Sequence, residues 1–304
     1  MDKSTQSLTV IALQKFKKNF WGVFSFWFVI VLILISVFAY FLAPDSSENA
    51  NQMHLSIHSK PPGFEVRMLS IPLNKKEENK LSYYFFGFPN NTTEIPIINY
   101  NINNNKLTYT EFSDDGTLAQ TKEISLDKFP NYKSIKEVEE KNIATTKFYL
   151  GTDKYGRDLL SRMIIGSRIS LSIGFIAVFI SLIVGIFFGA LGGYFGGKVD
   201  AFVMWLVNII WSIPTLLLVI AITLTLGKGF WQVFVAVGLT MWVEVARVVR
   251  GQVISLKEMQ YITAAKALGF GHFRIIFNHI LPNIMAPVIV ISAANFASAI
   301  LVES

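Results

Sequence analysis

There is no cysteine in these 304 residues, which excludes a disulfide, a haem thiolate and any cysteine-ligated metal; four histidines remain as imidazole ligands. Charge is scarce as well. Only 16% of residues are charged, against 52% that are hydrophobic, and the mean hydropathy is positive. That balance excludes an ordinary soluble domain and points to residence in a lipid bilayer. No Gly, four residues, Gly-Lys-Ser/Thr pattern occurs, so the chain does not cradle ATP phosphates by that route. The apolar stretches carry no nucleophile beside a base and no paired acids, so neither an intramembrane enzyme nor a cofactor is expected. They also lack the buried ionisable residues and the two related halves of a secondary transporter. Lys and Arg outnumber Asp and Glu, 27 to 21. These bases flank apolar stretches and do not gather on a polar domain, so topology explains them and a nucleic-acid partner is not expected.

What the chain has is long apolar runs. A helix needs about 20 apolar residues to cross roughly 30 Å of hydrocarbon, with its backbone polar groups satisfied internally. Phe20–Ala43, Ile169–Gly197, Ala201–Leu226 and Ile280–Val302 reach that length without a formal charge. Gly229–Val243 does so if Val245, Ala246 and Val248 continue it past Glu244 and Arg247. The count is five spans. The first run is longer than a signal h-region and has no small-residue cleavage site, which favours an uncleaved span over a signal peptide. Lys15, Lys17 and Lys18 precede it, so the N-terminus is expected in the cytoplasm. Residues 45–168 are then outside, Lys198 inside and Lys228 outside. The stretch 247–282 is inside, and its Arg247, Arg250, Lys257, Lys266 and Arg274 agree with that count.

The expected fold is all-α transmembrane, with an external insert that is β-rich or irregular. Its parts are a cytoplasmic N-terminus (1–19), a first span (20–43), the insert (44–148) and a transmembrane domain (149–304) with a loop at 250–282. In the insert, strand-like runs at Tyr83–Phe86, Ile95–Tyr100, Leu107–Phe112 and Thr117–Ile124 alternate with turn formers. A low-complexity insertion of marginal order is the competing reading. Gly185, Gly189, Gly193 and Gly197 repeat every four residues, a stripe that lets a neighbouring helix approach closely. Pro214 is expected to kink the third span, either as a simple kink or as part of a pathway lining. Glu244 and Arg247, one turn apart, are expected to pair or to anchor the helix at the interface.

The loop is the most informative stretch. Tyr261–Gly269, Phe270–Asn278 and His279–Pro282 predict a helix, a glycine turn and a second helix. Ala264 and Ala265 are small enough for close contact with a partner, Gly269 permits the turn, and Phe273, Ile276 and Phe277 recur at helical spacing. Pro282 suits the start of the next helix.

This pattern resembles the coupling loop shared by permeases of bacterial binding-protein-dependent ABC importers: Glu-Ala-Ala, three residues, Gly, nine residues, Ile, one residue, Leu-Pro. Ala264, Ala265, Gly269, Leu281 and Pro282 match in register, while Thr263 replaces the acid and His279 replaces Ile. A His-Ile-Leu-Pro ending is familiar in the peptide branch. Before the second span, Gly151-Thr152-Asp153, two residues, and Gly156-Arg157-Asp158 are similar to the signature of C-type subunits in dipeptide, oligopeptide and nickel importers. From the residues alone, these charges read as turn formers and interfacial anchors.

The resemblance implies a permease in the bacterial inner membrane, forming half of a pathway for peptides or similar small solutes. It also implies a second permease subunit, two cytoplasmic ABC ATPases that hydrolyse the ATP, and an external solute-binding protein. The family continues past this point with a sixth span, so the chain, ending at Glu303-Ser304, is expected to be truncated. A membrane signalling protein with an external sensor is the alternative.

The topology predicts that single cysteines placed at Asn104 and Lys266 differ in access to a membrane-impermeant thiol reagent on intact cells. Asn104→Cys should label and Lys266→Cys should not; the reverse pattern contradicts the orientation.

Overall fold

The computed structural model describes residues 8–73, 82–103, 106–113, 119–125, 128–129, 135–227 and 229–303. Asn104 and the first part of the run Thr117–Ile124 lie outside them. The chain divides into two units, Met1–Arg168 and Ile169–Ser304.

The first unit opens with helix α1, Leu8–Lys18, and α2, Phe20–Val37. Asn19 starts α2 by accepting a hydrogen bond from the Gly22 amide, 3.2 Å, which satisfies one donor at the helix N-terminus. Only 6% of the apolar α2 window is buried, as befits a helix whose surroundings are lipid. The first apolar run is not one helix to Ala43. It bends at Phe38 (φ −94°, ψ 20°) into α3, Ala39–Leu42, whose Ala39 and Tyr40 are buried with Ala50 and Ile165.

The rest of this unit is built on a five-stranded antiparallel sheet. Its strands are β1 (Phe64–Pro72), β2 (Thr92–Asn103), β3 (Lys106–Glu111), β4 (Thr121–Ser125) and β5 (Ile143–Phe148), in the order β4-β3-β2-β1-β5. Alternation sets which face is buried: Leu69, Ile97, Leu107, Tyr109 and Ile124 form a core with Phe129 and Val138. Proline is rare inside a central strand because it cannot donate to the ladder. Pro96 sits in β2 opposite Met68, and the β2–β3 register shifts directly after it, between Ile97 and Asn99. Tyr83–Phe86, expected as a strand, is instead a short helix, α4, ended by Gly87 at φ +93°. A side chain there would meet the Glu48 backbone at 2.7 Å, so both the turn and the close approach require glycine. Helix α5, Ile135–Asn142, precedes β5.

Helix α6, Leu159–Phe195, runs for 37 residues and carries the division between the units. The second unit continues with α7 (Gly197–Trp211), α8 (Thr215–Leu226), α9 (Phe230–Lys257), α10 (Gln260–Ala267) and α11 (His272–Ile275). A π-turn (Ile276–Ile280) then leads into α12 (Leu281–Glu303). Among the described residues, four helices are long and apolar enough to cross a membrane, or five if α7 and α8 count as one broken span. That pair is bent by 92°. Pro214, without an amide hydrogen, stands at the break with ψ 126°, so the expected kink is a right-angle corner.

The glycine stripe of α6 faces α9. A Cβ at Gly185 would fall 2.5 Å from Val245 Cβ, at Gly189 2.6 Å from the Ala246 carbonyl oxygen, and at Gly193 2.9 Å from that of Arg250. Gly197 meets nothing within 4 Å, so three of the four repeats make the contact. Gly251, in α9, also has open space around it.

Gly189→Val is predicted to lower the thermal midpoint in detergent, since overpacking a close contact costs about 1–3 kcal/mol. Gly251→Ala should be neutral or stabilising, by up to about 1 kcal/mol from helix propensity. Equal midpoints for both variants would contradict this packing.

Candidate coupling loop

Helix α9 ends where the Leu256 carbonyl accepts from the Met259 amide, 3.0 Å, and Met259 in turn caps α10. Thr263, at the position of the family's acid, is exposed, and its amide donates to the Met259 carbonyl at 3.2 Å. At the other end of α10, the Gly269 amide donates to the Lys266 carbonyl (2.9 Å) and the Phe270 amide to that of Ala265 (3.1 Å). With Gly269 at φ +77°, this is a Schellman closure, which favours glycine at the left-handed position. Nothing lies within 4 Å of a Cβ at Gly269. The demand for glycine here comes from backbone conformation and not from crowding. The predicted helix, glycine turn and helix is what the chain forms.

The two alanines part company. Ala265 is buried in a core with Ile262, Ile275, Ile280, Val249 and Val253, whereas Ala264 is exposed. The expected close contact of Ala265 is therefore made inside this chain. Of the apolar residues after the turn, Ile276 faces this core, while Phe273 and Phe277 remain 72% and 60% exposed. Leu268, just before the turn, is also exposed. The loop thus has an inner face that belongs to the core and an outer face of uncovered apolar side chains.

Side chains fix the second half of the loop. The Phe270 ring stacks with His279, centroids 5.9 Å apart and 18° between planes, and Arg274 lies over the same ring at 4.3 Å. His272 Nδ1 is 2.9 Å from the Tyr194 hydroxyl of α6, and Lys266 lies over the Tyr194 ring. Leu281 packs against the core. Pro282 stands in the first turn of α12, as expected, although a π-turn joins that helix to α11. The helix runs unbroken through it, from His272 to Val302. The π-turn just ahead, with the Leu281 amide donating to the Ile276 carbonyl, widens the helix where the proline ring would clash with the preceding turn.

The second motif lies in the first unit. Thr152 bonds across the chain: its hydroxyl donates to the Ile57 carbonyl (2.5 Å) and accepts from the Lys60 amide (2.9 Å). Gly151 and Gly156 have φ of +78° and +73°, and a Cβ at either would collide with the backbone of Lys60–Pro61 or His54. Asp153 accepts from the Tyr155 amide (2.8 Å), the Arg157 amide (3.0 Å) and Arg157 Nε (2.8 Å). Burial opposes its ionisation, but these hydrogen bonds outweigh burial and hold the carboxyl below its ordinary value. Arg157 also donates to Asn51, 3.0 Å. Asp158 caps α6 by accepting from the Ser161 amide at 2.9 Å. The motif is a brace between residues 51–60 and the start of α6.

Two charged contacts were not legible in the sequence. Arg250 binds Asp200 through both ends of its guanidinium, with Nη2 to Oδ2 at 2.6 Å, tying the start of α7 to α9. Arg247 does not pair with Glu244. It donates to Asn208 Oδ1 (3.0 Å) and lies 3.6 Å above the Trp211 ring centroid. Both partners are distant in sequence, so helical spacing within α9 gave no sign of them.

Helices of this length and apolarity define a multi-pass membrane protein. Residues 181–303 match the family model of the binding-protein-dependent transport system inner membrane component. Residues 7–62 match that of the N-terminal TM domain of oligopeptide transport permease C. The dipeptide transport system permease protein DppC of Lactococcus lactis is 31% identical over 293 residues, covering 96% of this chain and 71% of that protein. The oligopeptide transport system permease protein OppC of Bacillus subtilis is 38% identical over 51% of each chain. The dipeptide permease DppC of the same organism is 39% identical over 51% of this chain and 49% of its own. The chain spans about half the length of these two Bacillus relatives. Among solved structures, the MetNI methionine ABC transporter aligns with a TM-score of 0.40 and 21% identity, over 44% of this chain and 68% of that one. The chain belongs to the family of binding-protein-dependent transport system inner membrane components, and is a multi-pass inner-membrane protein.

Ala265→Asp, which buries a charge, is predicted to cost several kcal/mol and to deplete folded protein from the membrane. Ala264→Asp should leave its level unchanged. Immunoblots of membrane fractions test this, and equal levels of both variants would contradict the assignment of Ala265 to the core.

Proposed function

We propose that this chain is one permease subunit of an ATP-driven importer, forming half of the pathway for peptides or similar small solutes. The carrying observation is the two-faced loop: its inner face shares a core with α6, α9 and α12, and its outer face leaves Leu268, Phe273 and Phe277 uncovered. Uncovered apolar surface on a rigid turn suits a partner groove. The printed names of the relatives, oligopeptide and dipeptide permeases, support the solute class. On this reading the chain has five spans, α7–α8 counting as one, with its N-terminus in the cytoplasm. It pairs with a second permease and works with two cytoplasmic ATPases and an external solute-binding protein. ATP hydrolysis takes place in the ATPases, and no catalytic residue is assigned here.

Mechanically, Thr263, Ala264 and Gly269 lie on the side offered to the ATPase, while His279, Leu281 and Pro282 hold the following helix in place. When the ATPases close on ATP, a push on α10 passes to α9 and α12 as one packed body. The pathway opens because the ATP-bound partner binds one loop position better than another. The brace formed by Gly151, Thr152, Asp153, Gly156, Arg157 and Asp158 fixes where α6 begins.

In membranes containing the complete transporter at matched expression, Gly269→Val is predicted to lower uptake and substrate-stimulated ATPase activity by about tenfold. A left-handed conformation costs a side-chain-bearing residue about 1–2 kcal/mol, more if it is β-branched, and distorts the turn. Thr263→Glu should be tolerated, since its side chain is exposed. Normal uptake and stimulation in Gly269→Val would overturn the coupling role.

A further inference from the structure

We propose that Glu244 and the cavity at the α7–α8 corner form a subsite for an alkylammonium group of the transported solute, the chemistry of a lysine side chain. The inference rests on the importer reading. The cavity measures about 200 Å³ and is lined by apolar side chains, among them Ile210, Ile213, Leu218 and Val243, with Thr215, Thr240 and Glu244 adding polarity. An acid in an apolar helix is expensive unless it meets a cation. Every other charge on this part of α9 has its partner: Arg247 is taken by Asn208 and Trp211, and Arg250 by Asp200. Glu244 is exposed to the cavity, and no ion pair or hydrogen bond reaches its carboxylate among the described residues. The Thr240 hydroxyl is committed to the Val237 carbonyl at 2.8 Å, so it does not compete.

The lining selects the ligand. Methylenes suit the aliphatic wall, and one carboxylate at its edge suits a single cationic head, the Arg247 guanidinium being held over the Trp211 ring and by Asn208. The space is too small for a whole peptide and large enough for one long side chain. The right-angle corner at Pro214 creates the opening: a straight helix through residues 211–215 would bring its own side chains along the wall that the corner leaves free.

Two experiments on the complete transporter test this. In the first, carbodiimide labelling of Glu244 is followed by mass spectrometry with butylammonium or butanol present. Butylammonium should slow labelling severalfold and butanol should not. Equal protection by both, or no labelling with either, would overturn the subsite. In the second, uptake of trilysine and trialanine is compared in wild type and Glu244→Gln. The ratio of trilysine to trialanine uptake should fall about tenfold while trialanine transport and basal ATPase activity persist. An unchanged ratio, or loss of both peptides together with loss of complex assembly, would overturn it. If wild-type membranes import neither peptide, the importer reading fails, and the labelling result alone then decides for or against the cation subsite.

Discussion

The close approach of α6 to α9 is the constraint on which the second unit depends. Between helices in a bilayer there is little hydrophobic gain to be had, so contact must come from dispersion, which needs short distances. Gly185, Gly189 and Gly193 allow it by presenting no side chain to Val245, Val249 and Val253. Those valines face inward to the core that also receives Ile262, Ile275, Ile280 and Ile284. The loop after α9 is thus an extension of the helical core and not a flexible connector. It shares its buried side chains with α6, α9 and α12.

Packing also decides how the loop divides its residues. A helix of eight residues, α10, is too short to hold in water by itself. It persists because Ile262 and Ala265 are covered and because the turn at Gly269 closes its last carbonyls. The residues that remain outside, Thr263, Ala264, Leu268 and Phe273, contribute little to that stability. They are free to be chosen for what they touch, which on the proposed reading lets one short loop serve both the fold and a partner.

Much of this was legible in the sequence where the signal was local. The apolar runs marked the long helices, the four-residue glycine period marked the α6–α9 seam, and Gly269 marked the turn, because each is a property of neighbouring residues. Long-range pairings left no such trace. The Arg250–Asp200 and Arg247–Asn208 contacts join α9 to α7 across long sequence separations, and helical spacing offered only a Glu244–Arg247 pair or an interfacial anchor. Tyr83–Phe86 has strand-like composition, yet Gly87 and the nearby Glu48 backbone hold it as a helical turn. Pro282 marked the first turn of α12 on local rules, but the π-turn that joins this helix to α11 left no local sign. The cavity beside Glu244 could not be inferred at all, since it exists only through the bend.

The central claim is that the exposed side of the loop seats in a cytoplasmic ATPase. The cysteine-free chain permits a direct measurement: Phe273→Cys, assembled with its partners in membranes, is treated with a bifunctional thiol reagent, and the products are identified by mass spectrometry. The account predicts a cross-link to the ATPase that changes in yield when ATP is bound, and none from Phe41→Cys in the first unit. Cross-linking of Phe273→Cys only to other membrane subunits or to lipid, with no ATPase product in either nucleotide state, would contradict it.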